Sequence, residues 1–302
     1  MNDQADCDKK ALRCSKDLQK FWEKYRSSER QFAGTNLPGA NFYQMNLSGF
    51  DFSHSRLSEV NLIWADISGA NFKASKLQRS LAIWVQAYWS DFSDADLRHA
   101  DFSCAKLSAA QLKRTDFSQA NLMGADLSDS EAQDACFKGA NLWGVWAQRT
   151  NLTNVCLSQV DMTTSDLTEA QLSESDLSWS FLSQAVCVGA NLTSACLEGS
   201  DLKKTDFQDA CLSRADLSAA DCENACFFNA NLYKADLRGA KLCGADFRGA
   251  NLCGADFRGA NLTQANFTGA DISGAILPDE YASKLGMLGH QQVPCEQRWS
   301  IQ

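Results

Sequence analysis

The chain has 302 residues, 45% of them hydrophobic and 22% charged, with only 3 prolines and a formal net charge of −9. That balance belongs to a chain that folds and excludes a proline-rich disordered one; no run approaches the roughly 18 apolar residues of a membrane-spanning helix. The opening Met1-Asn2-Asp3-Gln4-Ala5-Asp6 has neither the basic nor the apolar stretch of a secretory leader, so a soluble, cytoplasmic protein is expected.

In residues 7–31, Leu18, Phe21, Trp22 and Tyr25 recur at i, i+3, i+4 and i+7 among Lys, Arg and Glu. This spacing predicts an amphipathic helix that lies over whatever follows it. From Leu37 to Leu277 every fifth residue falls in one unbroken register of 49 pentads. The central residue is Leu, Phe, Ile or Met in 43 of them, and Ala82, Ala87, Ala132, Ala147, Cys187 and Cys222 are the exceptions. The residue two places earlier is Ala, Ser, Thr or Val except at Met45 and Phe50, and Asn or Asp usually stands between the two. A period of five suits neither an α-helix nor a flat strand, so the chain must turn at each pentad. The large and the small residue then point into a narrow interior, with the other three facing water. After Leu277, Pro278-Asp279-Glu280 is a helix start, with Tyr281, Leu285 and Leu288 on one face.

The A-[ND]-[LF]-x-x pattern, as in Ala250-Asn251-Leu252-Cys253-Gly254, resembles the pentapeptide-repeat family over about four fifths of the chain. The resemblance implies an all-β solenoid: a right-handed quadrilateral parallel β-helix with four pentads per coil, so that residues 20 apart stack. About twelve coils at ~4.8 Å give a rod on the order of 58 Å. The domains are then a helical cap over 1–31, the β-helix over 32–277, and a cap or dimerisation helix with its tail over 278–302. Quinolone-resistance relatives pair through the C-terminal end, which makes a homodimer one role for that end and capping the other.

Two surface groups are candidate partner sites. Stacking places Tyr43, Ile63, Trp64, Ile83 and Trp84 in neighbouring rows, with Tyr88 and Trp89 round the next corner. Ala82 and Ala87 lie in the same stretch, so these aromatics either fold inward to refill the bore or form an exposed protein-binding patch. A looser group holds Trp143, Trp146, Trp179, Phe181, Val186 and Val188. It borders an acidic surface of Asp161, Asp166, Glu169, Glu174, Asp176, Glu198, Asp201, Asp206, Asp209, Asp216, Asp221 and Glu223, which either keeps the rod soluble or docks a basic partner.

No phosphate loop, nucleophile elbow or metal-ligand spacing is present, and His54, His99 and His290 are far apart in sequence. An enzyme, a cofactor, direct nucleic-acid binding and membrane association are therefore not expected. The 13 cysteines follow no framework; Cys136 and Cys156, which stack on adjacent coils, are expected as thiols in a reducing compartment. The function expected is a protein-interaction scaffold whose partner the sequence does not name. The resemblance implies two alternatives: a DNA mimic that binds DNA gyrase or topoisomerase IV, and a secretion-associated or translocated bacterial protein. Against mimicry, Arg238 and Arg258 stand beside Asp236 and Asp256, and the register leaves no room for a projecting loop.

Overall fold

In a computed structural model, which describes residues 16–284 and side chains as far as Tyr281, a pentad led by Asn or Asp can use all five of its backbone N–H groups. The pentad around Leu62 shows how. Asn61 N–H donates to Ala40 O on the coil below, while Leu62 and Trp64 N–H donate to Leu81 O and Ile83 O on the coil above. Ala65 N–H closes a turn onto Leu62 O at 2.9 Å, and Ile63 N–H donates to the side-chain Oδ1 of Asn61 at 3.0 Å. The motif follows from this. Asn or Asp supplies the acceptor that the first turn residue would otherwise lack, and the second turn residue has positive φ, as a type II turn requires. The small residue turns inward beside its large neighbour.

Parallel bridges join one residue of each pentad to the residue 20 further on, from Gln31↔Asp51 to Asp256↔Ile276. Four turns therefore make one coil, and the rod has four sides. They are named here by the bridge residues that start them: side I from Gln31, side II from Asn36, side III from Asn41 and side IV from Asn46. The ladder begins at Gln31, one residue before the expected boundary.

The bore is filled by the central residues. Phe32, Phe52, Phe72 and Phe92 stack in one column with centroids 5.0–5.6 Å apart. Phe207, Phe227, Phe247 and Phe267 do so in another, at 4.8–5.2 Å. Ala82 and Ala87 belong to the same coil as Phe92, and Ala132 and Ala147 to the same coil as Phe137; all six are buried. Both pairs of alanines therefore lie within one coil of a buried phenyl ring. The inward-folding alternative for the tryptophans is corrected by this arrangement: Trp64 and Trp84 are about half exposed.

Helix α1 (Lys16–Arg26) lies at the N-terminal end, its Phe21 ring 4.8 Å from Phe32 and 5.0 Å from Phe42. Phe21 is buried, and Leu18, Trp22 and Tyr25 pack partly buried around it. Helix α2 (Asp279–Lys284) follows the last coil, where Tyr281 packs against the core. The expected continuation through Leu285 and Leu288, with residues 7–15 of the N-terminal segment and His290, lies outside the described residues. No described helix is long and apolar enough to cross a membrane.

Candidate partner-binding face

Side IV is bounded by two rows of turns. The turn residues after Phe42, Leu62 and Ala82 form its corner with side III; those after Leu47, Ile67 and Ala87 form its corner with side I. Tyr43, Ile63, Trp64, Ile83 and Trp84 lie on the first corner, and Tyr88 and Trp89 on the second, so all seven border one side. Trp64 and Trp84 stack face to face at 5.4 Å and 6°, and Tyr88 meets Trp89 at 5.8 Å. Tyr43 and Trp89 are exposed; Ile63, Ile83 and Tyr88 are half-buried.

The same side continues upward through Met123 and Trp143 on its corner and Trp146 and Val186 on its flat. Of the 12 exposed large hydrophobic residues among those described, Tyr43, Trp64, Trp84, Trp89, Met123, Trp143, Trp146 and Val186 fall here, so the two groups separated in the sequence form one surface. Leu81 and Phe181 lie on side III, Tyr233 between sides I and II, and Trp179 between sides II and III.

These residues occupy slots where the backbone favours others. Trp64, Trp84 and Trp89 have φ of 59°, 58° and 55°, where glycine or asparagine is cheaper by roughly 1–2 kcal/mol. Many polar residues share that geometry along the rod, so the fold tolerates it; the rings of Trp64 and Trp84 recover part of the cost by stacking on each other. Trp146 and Val186 stand in the Asn/Asp slot and forgo the turn-closing acceptor, worth about 1 kcal/mol. Positions that break a local rule without a gain in packing are where function is expected.

The acidic residues are not gathered on one face. Asp161, Asp201 and Asp221 are on side III, Asp176 and Asp216 on side II, and Asp166 and Asp206 on side IV. Glu174, Glu198 and Glu223 sit at three different corners, with Glu169 and Asp209 at the fourth, between sides IV and I. Part of the charge is cancelled. Burial raises the Asp221 carboxyl, but the ammonium groups of Lys241 and Lys203, both 3.0 Å away, outweigh it and hold the group below its ordinary range. Arg238, Arg248 and Arg258 chelate Asp236, Asp246 and Asp256 on their own pentads.

Ligand atoms of Cys196, Glu198 and Asp216 lie within 4.8 Å of one another. Burial, with Asp216, Asp176 and Glu198 beside it, pushes the Cys196 thiol up, which disfavours the thiolate that a metal needs. Cys136 and Cys156 are bridged neighbours carried as thiols, each beside a hydroxyl, Ser118 at 3.3 Å and Ser158 at 3.6 Å. A contact that sequence reasoning missed is Trp179 lying across Gly199, where a Cβ would sit 2.7 Å from the ring. Its signal was available: a large residue in the positive-φ slot, with glycine 20 residues later.

Parallel bridging at a period of 20 through a continuous series of pentads defines a four-sided β-helix solenoid. The family model for pentapeptide repeats matches over residues 35–74, 90–129, 105–144, 148–184, 170–209, 210–249 and 244–277. The chain belongs to the pentapeptide repeat family, whose members are in general structural or interaction proteins. Among solved structures it is similar to HetL, a pentapeptide repeat protein involved in heterocyst differentiation regulation from the cyanobacterium Nostoc sp. strain PCC 7120. That match has 26% identity over 86% of this chain and 97% of HetL, with a TM-score of 0.37. QnrB1, a plasmid-mediated fluoroquinolone resistance protein, matches at 18% identity over 83% and 92%, with a TM-score of 0.28. A pentapeptide repeat protein from the Arabidopsis thaliana thylakoid lumen matches at 33% identity over 32% and 75%, with a TM-score of 0.23. No curated protein matches the chain.

Proposed function

We propose that this protein is a non-catalytic rod of about twelve coils, covered by α1 at one end, whose side IV and adjoining corners bind a protein partner. The observation that carries the reading is the placement of Trp64, Trp84 and Trp89 in glycine-type turn slots, and of Trp146 and Val186 in Asn/Asp slots, all bordering one side and exposed. Exposed tryptophan and tyrosine supply the largest share of binding energy at protein interfaces. Capture from the native extract with wild type and with Trp64→Gly/Trp84→Gly tests it. A partner retained by wild type and lost by the variant supports the reading; a partner retained equally by both removes the aromatic corner from it.

Unpaired carboxylates such as Asp161, Asp166 and Asp206 favour a second reading, mimicry of DNA before gyrase. A supercoiling assay decides: inhibition or quinolone protection that Asp206→Lys/Asp216→Lys abolishes would establish mimicry, and no effect at micromolar protein would dismiss it for that target. Helix α2 either covers the last coil or pairs two copies, which sedimentation resolves as a 33.1 kDa species or one of twice that mass.

A further inference from the structure

Above Trp146, side IV changes character from one coil to the next. Trp146 is followed by a rung with Asp166 and Glu169, then one with Val186 and Val188, then one with Asp206 and Asp209, then one with Cys226 and Phe228. The strip is closed at both ends by neutralised carboxylates: Arg149 holds Asp129 at 2.7 Å below it, and Arg248 holds Asp246 at 2.7 Å above it. Between them, Asp166, Glu169, Asp206 and Asp209 form no ion pair with any described residue. Lys203, on the third rung, is turned away to Asp201 and Asp221 on side III. Lys204 marks the far corner, so the negative strip runs along the flat and the corner with side I.

We propose that this strip receives a basic amphipathic α-helix of a protein partner, laid along the rod axis; the proposal rests on the scaffold reading and supplies its partner chemistry. Successive coils are ~4.8 Å apart, so the carboxylate rungs repeat at about 10 Å with an apolar rung midway. A helix advances about 10.5 Å in seven residues and about 5 Å in three or four. Lys or Arg once per heptad, with an apolar residue half a heptad later, therefore meets acid and apolar rungs in alternation. The mismatch is under ~1 Å per repeat, within the reach of long basic side chains. An extended strand returns the same face every ~6.6 Å and falls out of step by the second rung. A plain polycation would match the carboxylates and leave Trp146 and Val186 unused, while the Phe228 ring already lies under the Arg248 guanidinium at 5.5 Å.

The test uses the full chain and a fluorescent helical peptide of about 21 residues with Lys and Leu in that phase. Controls are a permuted peptide of the same composition and one interrupted by proline. Asp166→Asn/Glu169→Gln/Asp206→Asn/Asp209→Asn removes four charges while Asn keeps the turn acceptors that Asp166 and Asp206 supply to Thr168 and Gln208. Trp146→Asn/Val186→Asn restores the residue type that the slot favours, so both variants are expected to fold. Anisotropy at low and high salt should show the phased peptide binding on the order of tenfold tighter than either control, with each variant set losing on the order of tenfold. The charge variant should lose chiefly at low salt and the apolar variant at both. Equal binding of the permuted or the proline peptide, no binding of any, or indifference to the charge variant would overturn the helix. Tyr233→Ala, on the corner between sides I and II, should leave peptide binding unchanged; the capture experiment reads Trp64 and Trp84 while the peptide reads the rungs from Trp146 upward, so either can fail without the other.

Discussion

Replacing Trp64 and Trp84 together by glycine should cost the rod less than removing one phenyl ring from its bore. Each tryptophan is held at positive φ, a state that penalises an L-residue by about 1–2 kcal/mol and that glycine adopts freely. Against that relief, glycine loses roughly 0.5–1 kcal/mol more backbone entropy on folding. The stacked pair, 5.4 Å apart, forfeits about 0.5–1.5 kcal/mol, and some half-buried ring surface is lost with it. With the buried half of each ring counted at roughly 1–2 kcal/mol, the double variant should lose about 1–3 kcal/mol. Phe247→Ala is the contrast. That ring sits 4.8 Å from Phe227 and 5.0 Å from Phe267 in the bore, and its removal should destabilise by about 3–5 kcal/mol. Urea unfolding followed by far-ultraviolet circular dichroism reads both. If the tryptophan variant loses as much as Phe247→Ala, the pair is a structural element and its assignment to a partner fails.

Gly199→Ala meets both positive φ and the Trp179 ring, and should cost about 1–3 kcal/mol; adding Trp179→Ala should recover part of the loss in a double-mutant cycle. Cys187 and Cys222 are fully buried and their thiols are pushed far above the ordinary range, so a thiol reagent should leave both unreacted until denaturant is added. Hydrogen bonds from Arg114, Arg149 and Arg248 hold Asp94, Asp129 and Asp246 below the ordinary carboxylate range. A depressed folded pKa stabilises above the unfolded value and is lost as pH falls through the folded one, so urea midpoints should be flat near neutrality and decline below about pH 4. These pairs are exposed, so a large decline arising from them alone would contradict the assignment.

Much of this was legible because a pentad is a complete hydrogen-bonding unit. The Asn or Asp in each repeat reports the turn N–H it accepts, and the column of any residue follows from its remainder on division by 20. The bore at Ala82 and Ala87 was less legible, since a small residue at one central position does not say whether the aromatics beside it turn inward, and Trp64 and Trp84 stay about half exposed. The union of Trp64 with Trp146 on one side was also hidden: they lie in different columns, and only the corner geometry shows that both columns border side IV. The acidic residues were read as a band along the sequence. Around a four-sided coil a band is a belt, and only Asp166, Glu169, Asp206 and Asp209 share the flat and outer corner of side IV.

The unbroken ladder of 20-residue coils also makes the rod a device with phase. Removing one pentad between Met123 and Trp143 would rotate everything above the cut by a quarter turn, carrying Trp146 and Val186 off the side that bears Trp64, with the core pattern intact. Removing a whole coil would shorten the rod by ~4.8 Å and keep the two halves aligned. A partner that spans both halves thus constrains the length of this chain in steps of twenty residues, whereas partners that use one half each leave it free in steps of five.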